Sequence, residues 1–281
     1  MQYDFDRIAT PRGIGSVKWE HRKGENGLEA WDATAEVNGR RQVLPLWVAD
    51  MDFPIAEPIR RALIARAEIP SLGYTYRTDD YLSAVTGWMQ RRHGWTVEPA
   101  WIALAPGVVP SLNMLVRTFT QPGDGVIVQP PVYHPFYMVI ESNDARVVRN
   151  PLRLIDGRYQ MDFDDLDAKA ADPTVKMLLL CSPHNPVGRV WTAEELRRLS
   201  EICNRHGVLV VADELHADLI LYGNVFQPYA ALGGAFADNA IVCTAASKSF
   251  SLAGLHMSHI ITSNADLREQ ALAGCKRPKC L

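Results

Sequence analysis

Between residues 126 and 262 the chain alternates short runs that are apolar on both faces with longer stretches whose apolar residues recur at helical spacing. The runs Val126-Ile127-Val128, Met177-Leu178-Leu179-Leu180-Cys181, Val208-Leu209-Val210-Val211-Ala212, Ile241-Val242-Cys243-Thr244 and His259-Ile260-Ile261-Thr262 predict strands, with a weaker one over 146–150. Helices are predicted at about 108–119, 134–142, 163–171 and 193–206, which gives a β-α-β rhythm. Continuous Val, Ile and Leu runs have no polar face to leave in water. The predicted fold class is therefore α/β, with a mostly parallel sheet between helices and ligands at the carboxyl ends of its strands. Upstream, Pro58 opens a helix over 59–66, and another is predicted over 79–93 before Gly94. Gly73-Tyr74-Thr75-Tyr76 lies in the loop between them. Residues 1–42 are polar, Gly-rich and weakly periodic, and the run from Val43 to Asp52 reads as a domain entry. The expected division is an N-terminal segment over 1–45 and a large domain over 46–281.

Composition narrows the partners. The 281 residues are 47% hydrophobic and 22% charged, enough to bury a large core. A net charge of −3 gives no basic field for nucleic acid or anionic lipid, so neither is expected and a small-molecule substrate is favoured. The acidic start Met1-Gln2-Tyr3-Asp4-Phe5-Asp6 has no apolar leader core, and no later run is long enough to span a bilayer, which predicts a cytoplasmic protein. Five cysteines without C-x-x-C spacing point to reduced thiols, with Cys181 and Cys243 buried in strands; neither disulfides nor a metal site is expected.

The chemistry-bearing residues fall after the strands. Lys248, in Ala245-Ala246-Ser247-Lys248-Ser249-Phe250, has an ε-amine able to form a Schiff base with an aldehyde. Ser247 and Ser249 beside it are small donors suited to a phosphate. Alone, Ser-Lys-Ser reads as a surface lysine in a polar loop; the other motifs change that. Asp213 ends a buried apolar run, where a lone carboxylate is costly unless it meets a cation such as a protonated pyridine nitrogen. It also reads as a helix N-cap, or as a metal ligand with Glu214, His216 and Asp218, although no second His cluster is near in sequence. Asn185, between two prolines, can donate to a phenolate oxygen or simply occupy a turn. His216 can reach the same oxygen from the other side. Gly107-Val108-Val109 precedes a helix whose N-terminal N–H groups suit a phosphate. Tyr133 offers a flat face for stacking, or a core tyrosine. Asn185, Asp213 and Lys248 stand in an order and at intervals that resemble those of a pyridoxal 5'-phosphate (PLP) site.

Taken with Leu46-Trp47-Val48-Ala49-Asp50-Met51-Asp52-Phe53, Gly73-Tyr74, Gly107-Val108-Val109-Pro110, Asp213-Glu214-Leu215-His216 and Ser247-Lys248-Ser249-Phe250-Ser251-Leu252-Ala253-Gly254-Leu255, these motifs resemble the aminotransferase class I/II superfamily of fold-type I PLP enzymes, in its cystathionine β-lyase branch. The resemblance covers the chain from Trp47 to about Asp266. It implies that Lys248 carries the cofactor, Asp213 pairs with the pyridine nitrogen, Asn185 contacts the phenolate oxygen and Tyr133 stacks on the ring. It further implies a homodimer in which Tyr74 enters the partner's site, and it assigns residues 1–45 to a small domain. The implied reaction is removal of the substrate α-proton by Lys248 and loss of a β-thiolate, giving pyruvate and ammonia. L-cystathionine would yield homocysteine.

Two departures stand out. Members of this superfamily continue past a segment like Ala265-Asp266-Leu267-Arg268-Glu269-Gln270 for on the order of a hundred residues that complete the small domain and carry the arginine for the substrate carboxylate. No residue here matches that arginine, and the tail Gly274–Leu281 is unlike the helix expected there, so the resemblance implies a truncated chain. His256 also stands where many aminotransferases place a phosphate-binding arginine, which the lyase branch commonly lacks. The alternatives are an aminotransferase, which the same residues would serve, and an inactive PLP-binding remnant.

Overall fold

The computed structural model describes residues 4–7, 9, 13–24, 27–31, 36–37, 40–41 and 45–275. The first three residues, Val43 and Leu44 of the expected entry run, and the 276–281 tail lie outside them. The chain forms two compact units, Met1–Tyr74 with Phe250–Leu255 and Thr75–Ser249 with His256–Leu281. The boundary predicted between 45 and 46 falls inside the first.

The larger unit is built on seven strands: β1 (Ile102–Ala105), β2 (Gly125–Val128), β3 (Arg146–Arg149), β4 (Val175–Cys181), β5 (Leu209–Asp213), β6 (Ala240–Thr244) and β7 (Ser258–Ile261). They are ordered β1-β7-β6-β5-β4-β2-β3. The neighbours β6, β5, β4, β2 and β3 pair in parallel, and β7 runs antiparallel to both β6 and β1. The sheet is thus mostly parallel, and β1 points the same way as β6.

Its helices are α1 (Asp79–His93), α2 (Val108–Phe119), α3 (Pro135–Glu141), α4 (Phe163–Ala170), α5 (Ala193–His206) and α6 (Ala265–Cys275). Alternate strand residues face opposite helix layers. Met177, Leu179, Cys181, Val211 and Ile241 share a cluster with Leu112 and Leu115 of α2, Phe136 and Ile140 of α3, and Ala271 of α6. Leu178, Leu180, Val210 and Val242 share the other with Met89 of α1, Leu166 of α4 and Leu196 of α5. Leu178, Leu179 and Leu180 are 0%, 1% and 0% exposed, each burial contributing about 1.5–3 kcal/mol.

Local signals set the helix ends. Thr78 Oγ1 accepts from Tyr81 N at 3.3 Å to open α1, and Gly94 closes it at φ 63°. Thr192 and Glu195 form a capping box at the start of α5. No side chain caps α2, whose N-cap is Gly107 at φ 122°.

In the smaller unit, Ser16 caps a single turn over Val17–Glu20, followed by the hairpin His21–Gly24 with Gly27–Ala30. Buried Lys18 donates through Nζ to the Asp50 carbonyl and to Asp52 Oδ2, both at 2.9 Å, while Trp19 Nε1 donates to Asp52 Oδ1 at 2.9 Å. The second carboxylate of the Trp47–Phe53 motif is thereby held by the N-terminal segment. The helix Glu57–Ala67 has no buried residue.

Candidate active site

Parallel strands send their carboxyl ends to one edge of a sheet. Gly107 follows β1, Tyr133 follows β2, Asn185 follows β4, Asp213 is the last residue of β5 and Lys248 follows β6. Residues scattered over the sequence therefore meet along one rim of the larger unit. Register sharpens the placement: Cys181 of β4 pairs with Asp213, and Asp213 pairs with Cys243 of β6.

Asp213 is 6% exposed, and its Oδ1 accepts from Leu215 N at 3.1 Å. Burial pushes its carboxyl up to about 6; the Leu215 N–H and the Lys248 charge pull the other way without cancelling it. His216, half-buried, is held below the usual imidazole range by burial first and by the Lys248 charge second. Tyr133, packed against the α2-side cluster, has its phenol pushed up by burial and then by Asp213. Lys248, Asp213, His216 and Tyr133 thus sit within one electrostatic neighbourhood. Lys248 is half-buried and has no ion-pair partner among the described residues.

Asn185 rests on Cys181, its backbone N donating to Sγ at 3.3 Å. The N–H groups of Val108 and Val109 open the uncapped α2, and Gly107 holds a φ that L side chains rarely adopt. Ser247 is half-buried beside Lys248. Ser249 is directed elsewhere than a phosphate: its Oγ donates to Asp218 Oδ2. Tyr74 belongs to the smaller unit and is fully exposed.

Sequence reasoning weighed Asp218 only as a metal ligand with Glu214 and His216, and the structure gives the three separate partners. Glu214 Oε1 accepts from Tyr229 N at 2.7 Å and His216 senses Lys248. Asp218 Oδ1 accepts from Trp88 Nε1 at 3.1 Å and meets His93 Nε2 at 3.0 Å. These partners lie far upstream on α1, and no local pattern announces them.

PLP carries an aldehyde, a phenolate, a pyridine nitrogen and a phosphate. Along this rim stand an amine with no ion-pair partner among the described residues, an amide donor, a carboxyl raised by its burial, an aromatic ring and an uncapped helix N-terminus. The donor set fits the group.

The model of the family "Aminotransferase class I and II" matches residues 42–278. Cystathionine beta-lyase PatB of Bacillus subtilis is 48% identical over 260 residues, covering 92% of this chain and 67% of that protein. Cystalysin from Treponema denticola, whose crystal structure contains PLP, is 37% identical with a TM-score of 0.87, over 98% of this chain and 67% of that one. The PLP-bound C-S lyase from Staphylococcus hominis is 30% identical with a TM-score of 0.85, over 100% of this chain and 69% of that one. The chain spans about two thirds of the length of each. The chain belongs to the aminotransferase class I and II family. Within that family its similarity lies with the cystathionine β-lyase branch.

Proposed function

We propose that the protein is a PLP-dependent carbon-sulfur β-lyase acting on L-cystathionine or a related sulfur amino acid, releasing a thiol, pyruvate and ammonia. The observation that carries this reading is the shared rim that brings the Lys248 amine into the field of buried Asp213. Bound PLP supplies the aldehyde that captures amines and the ring that accepts an electron pair. The chain's own residues do the rest. Asp213, a carboxylate that burial disfavours, would hold a proton on the pyridine nitrogen. Tyr133 covers the ring face, Asn185 and His216 address the phenolate oxygen, and Val108 and Val109 N–H groups hold the phosphate. Lys248 Nζ would take the substrate α-proton, and the electron pair left on Cα would expel the β-thiolate as the Cβ–S bond breaks. Water hydrolyses the remaining three-carbon fragment to pyruvate and ammonia.

The reading includes a homodimer in which Tyr74 reaches the partner's site. It is supported by the full exposure of Tyr74 and by exposed Leu72 and Tyr76 around it. A cytoplasmic setting is supported by the free thiols of Cys181, Cys203 and Cys243. Among the described residues no helix is long and apolar enough to cross a membrane.

The test is a visible absorption spectrum of the purified protein with PLP, before and after L-cystathionine, with pyruvate followed in the same cuvette and Lys248→Ala as control. A Lys248-dependent band with pyruvate release in the absence of any 2-oxo acid is expected. Amino transfer that requires a 2-oxo acid acceptor, without pyruvate from cystathionine, would establish an aminotransferase instead. Absence of a Lys248-dependent band would remove the cofactor assignment.

A further inference from the structure

The end of β5 and the turn after it carry three residues that bear on Lys248. Asp213 and His216 feel its charge. Asp218 takes a different route, accepting a hydrogen bond from Ser249, the residue immediately after the lysine. The turn itself is stiff. Ala217 N donates to the Glu214 carbonyl at 3.1 Å, Leu219 N to the His216 carbonyl at 2.9 Å, and Glu214 is buried and tied to Tyr229 N. Asp218 is in turn braced from α1. Oδ1 takes both Trp88 Nε1 and His93 Nε2, and the His93 ring packs edge-on against Phe226 at 5.4 Å. His93 and Asp218 side chains are only 7% and 13% exposed, so these bonds are shielded from competing water. Burial pushes the Asp218 carboxyl up, but the donors from His93, Ser249 and Trp88 outweigh it and hold the group below its ordinary range.

A serine, an aspartate and a histidine in contact invite a hydrolytic reading, which the order of the contacts excludes. The carboxylate stands in the middle, so the Ser249 proton faces an acceptor of low basicity and the imidazole never meets the hydroxyl. Positioning is what remains. Lys248 stands between strand β6, ending at Thr244, and a serine pinned by Asp218. Both sides of its backbone are thereby fixed, and a misplacement of about 1 Å at a reacting amine is worth about a hundredfold in rate.

We propose that Asp218 is a positioning residue for Lys248, acting through Ser249 and braced by His93 and Trp88. The inference deepens the PLP reading above and rests on it. Asp218→Asn keeps the shape but gives up the charge-assisted bond: with its Oδ1 on Trp88 and His93, its NH₂ faces the Ser249 hydroxyl, which must turn from donor to acceptor in a weaker neutral link. Ser249→Ala removes the same link from the other end and serves if the Asn variant fails to fold.

The test mixes cofactor-free full-length chain with PLP and traps the Lys248 adduct over time with borohydride, locating it by peptide mass spectrometry. Thermal melts confirm that each variant is folded. Asp218→Asn and Ser249→Ala should each slow adduct formation at least about tenfold, and the double variant should match the slower single within about twofold, because the two act as one link. Rates within about twofold of the parent, or effects that multiply in the double variant, overturn the proposal. Should the parent itself form no adduct, the cofactor reading fails, and labelling of the cofactor-free chain with acetic anhydride still decides this one. Lys248 labelling relative to exposed Lys176 should rise at least about threefold in both variants as the lysine loop is released. Equal labelling overturns it.

Discussion

Asp213 and Cys181 stand directly opposite each other on adjacent parallel strands, with Cys243 on the aspartate's other side. The carboxylate is seated among weakly polar thiols, and burial raises it to about 6. A carboxyl raised on folding contributes stability that is present below its ordinary value of 3.8 and lost as pH rises through about 6. Asp213→Asn should therefore be more stable than the parent at pH 8 by about 2–3 kcal/mol in the cofactor-free protein, yet lose PLP affinity and β-elimination at least about a hundredfold. Calorimetric melts at pH 5 and pH 8 together with PLP titration check both halves. An Asn variant no more stable at pH 8 would sink the argument that this charge is held at a cost.

Glu214 shows the same physics without the chemistry. Burial pushes it up to about 8; the Tyr229 N–H opposes this and the Asp213 charge adds to it. Its stabilising share is present below 4.5 and lost as pH rises through about 8. Glu214→Gln keeps the acceptor for Tyr229 N, so the gap in Tm between variant and parent should be near zero at pH 4.5 and grow to several degrees by pH 8. A gap that stays flat across this range would show that the carboxyl is not buried against the charge.

The central sheet was legible because strands buried on both faces read as unbroken apolar runs, and the helices because their caps are written locally, as at Thr78 and Gly94. β1 escaped since Ile102–Ala105 is short, half alanine, and has Leu104 39% exposed. The hairpin Arg153–Ile155 with Arg158–Gln160 escaped as well, although Asp156-Gly157 at φ 49° and 74° is a hairpin turn signal that was there to be read. Around the candidate site, the placement of Lys248, Asp213 and Asn185 at strand ends was legible because those strands read clearly. Asp218 was not, because Trp88 and His93 reach it only through the packing of α1.

Gly107 offers a phosphate-specific test. A Cβ there would meet Pro110 Cδ at 3.5 Å, an ordinary contact, so space is not the obstacle; φ 122° is. Gly107→Ala should cost about 1–3 kcal/mol in stability and shift the first turn of α2. If Val108 and Val109 hold the phosphate, affinity for PLP should fall at least about tenfold while affinity for pyridoxal, which lacks the phosphate, changes little. Equal losses for the two ligands would place the phosphate elsewhere.

The acid limb should belong to buried histidines. His259 is 5% exposed, its Nε2 lies 2.6 Å from Tyr81 Oη, and burial lowers it to about 4; burial likewise brings His184 to about 4. A base lowered on folding contributes stability that is present above 6.5 and lost as pH falls through about 4. The two histidines should therefore withdraw stability between pH 6.5 and 4, against the opposite contributions of Asp213 and Glu214 over the same window. His259→Gln, which keeps a polar group near Tyr81, should begin less stable at pH 7 by about 1–3 kcal/mol but lose less on acidification, with His184 left to account for the rest. Urea melts across that range measure it, and parallel slopes for variant and parent would show that His259 takes up its proton in the folded state as readily as in the unfolded chain.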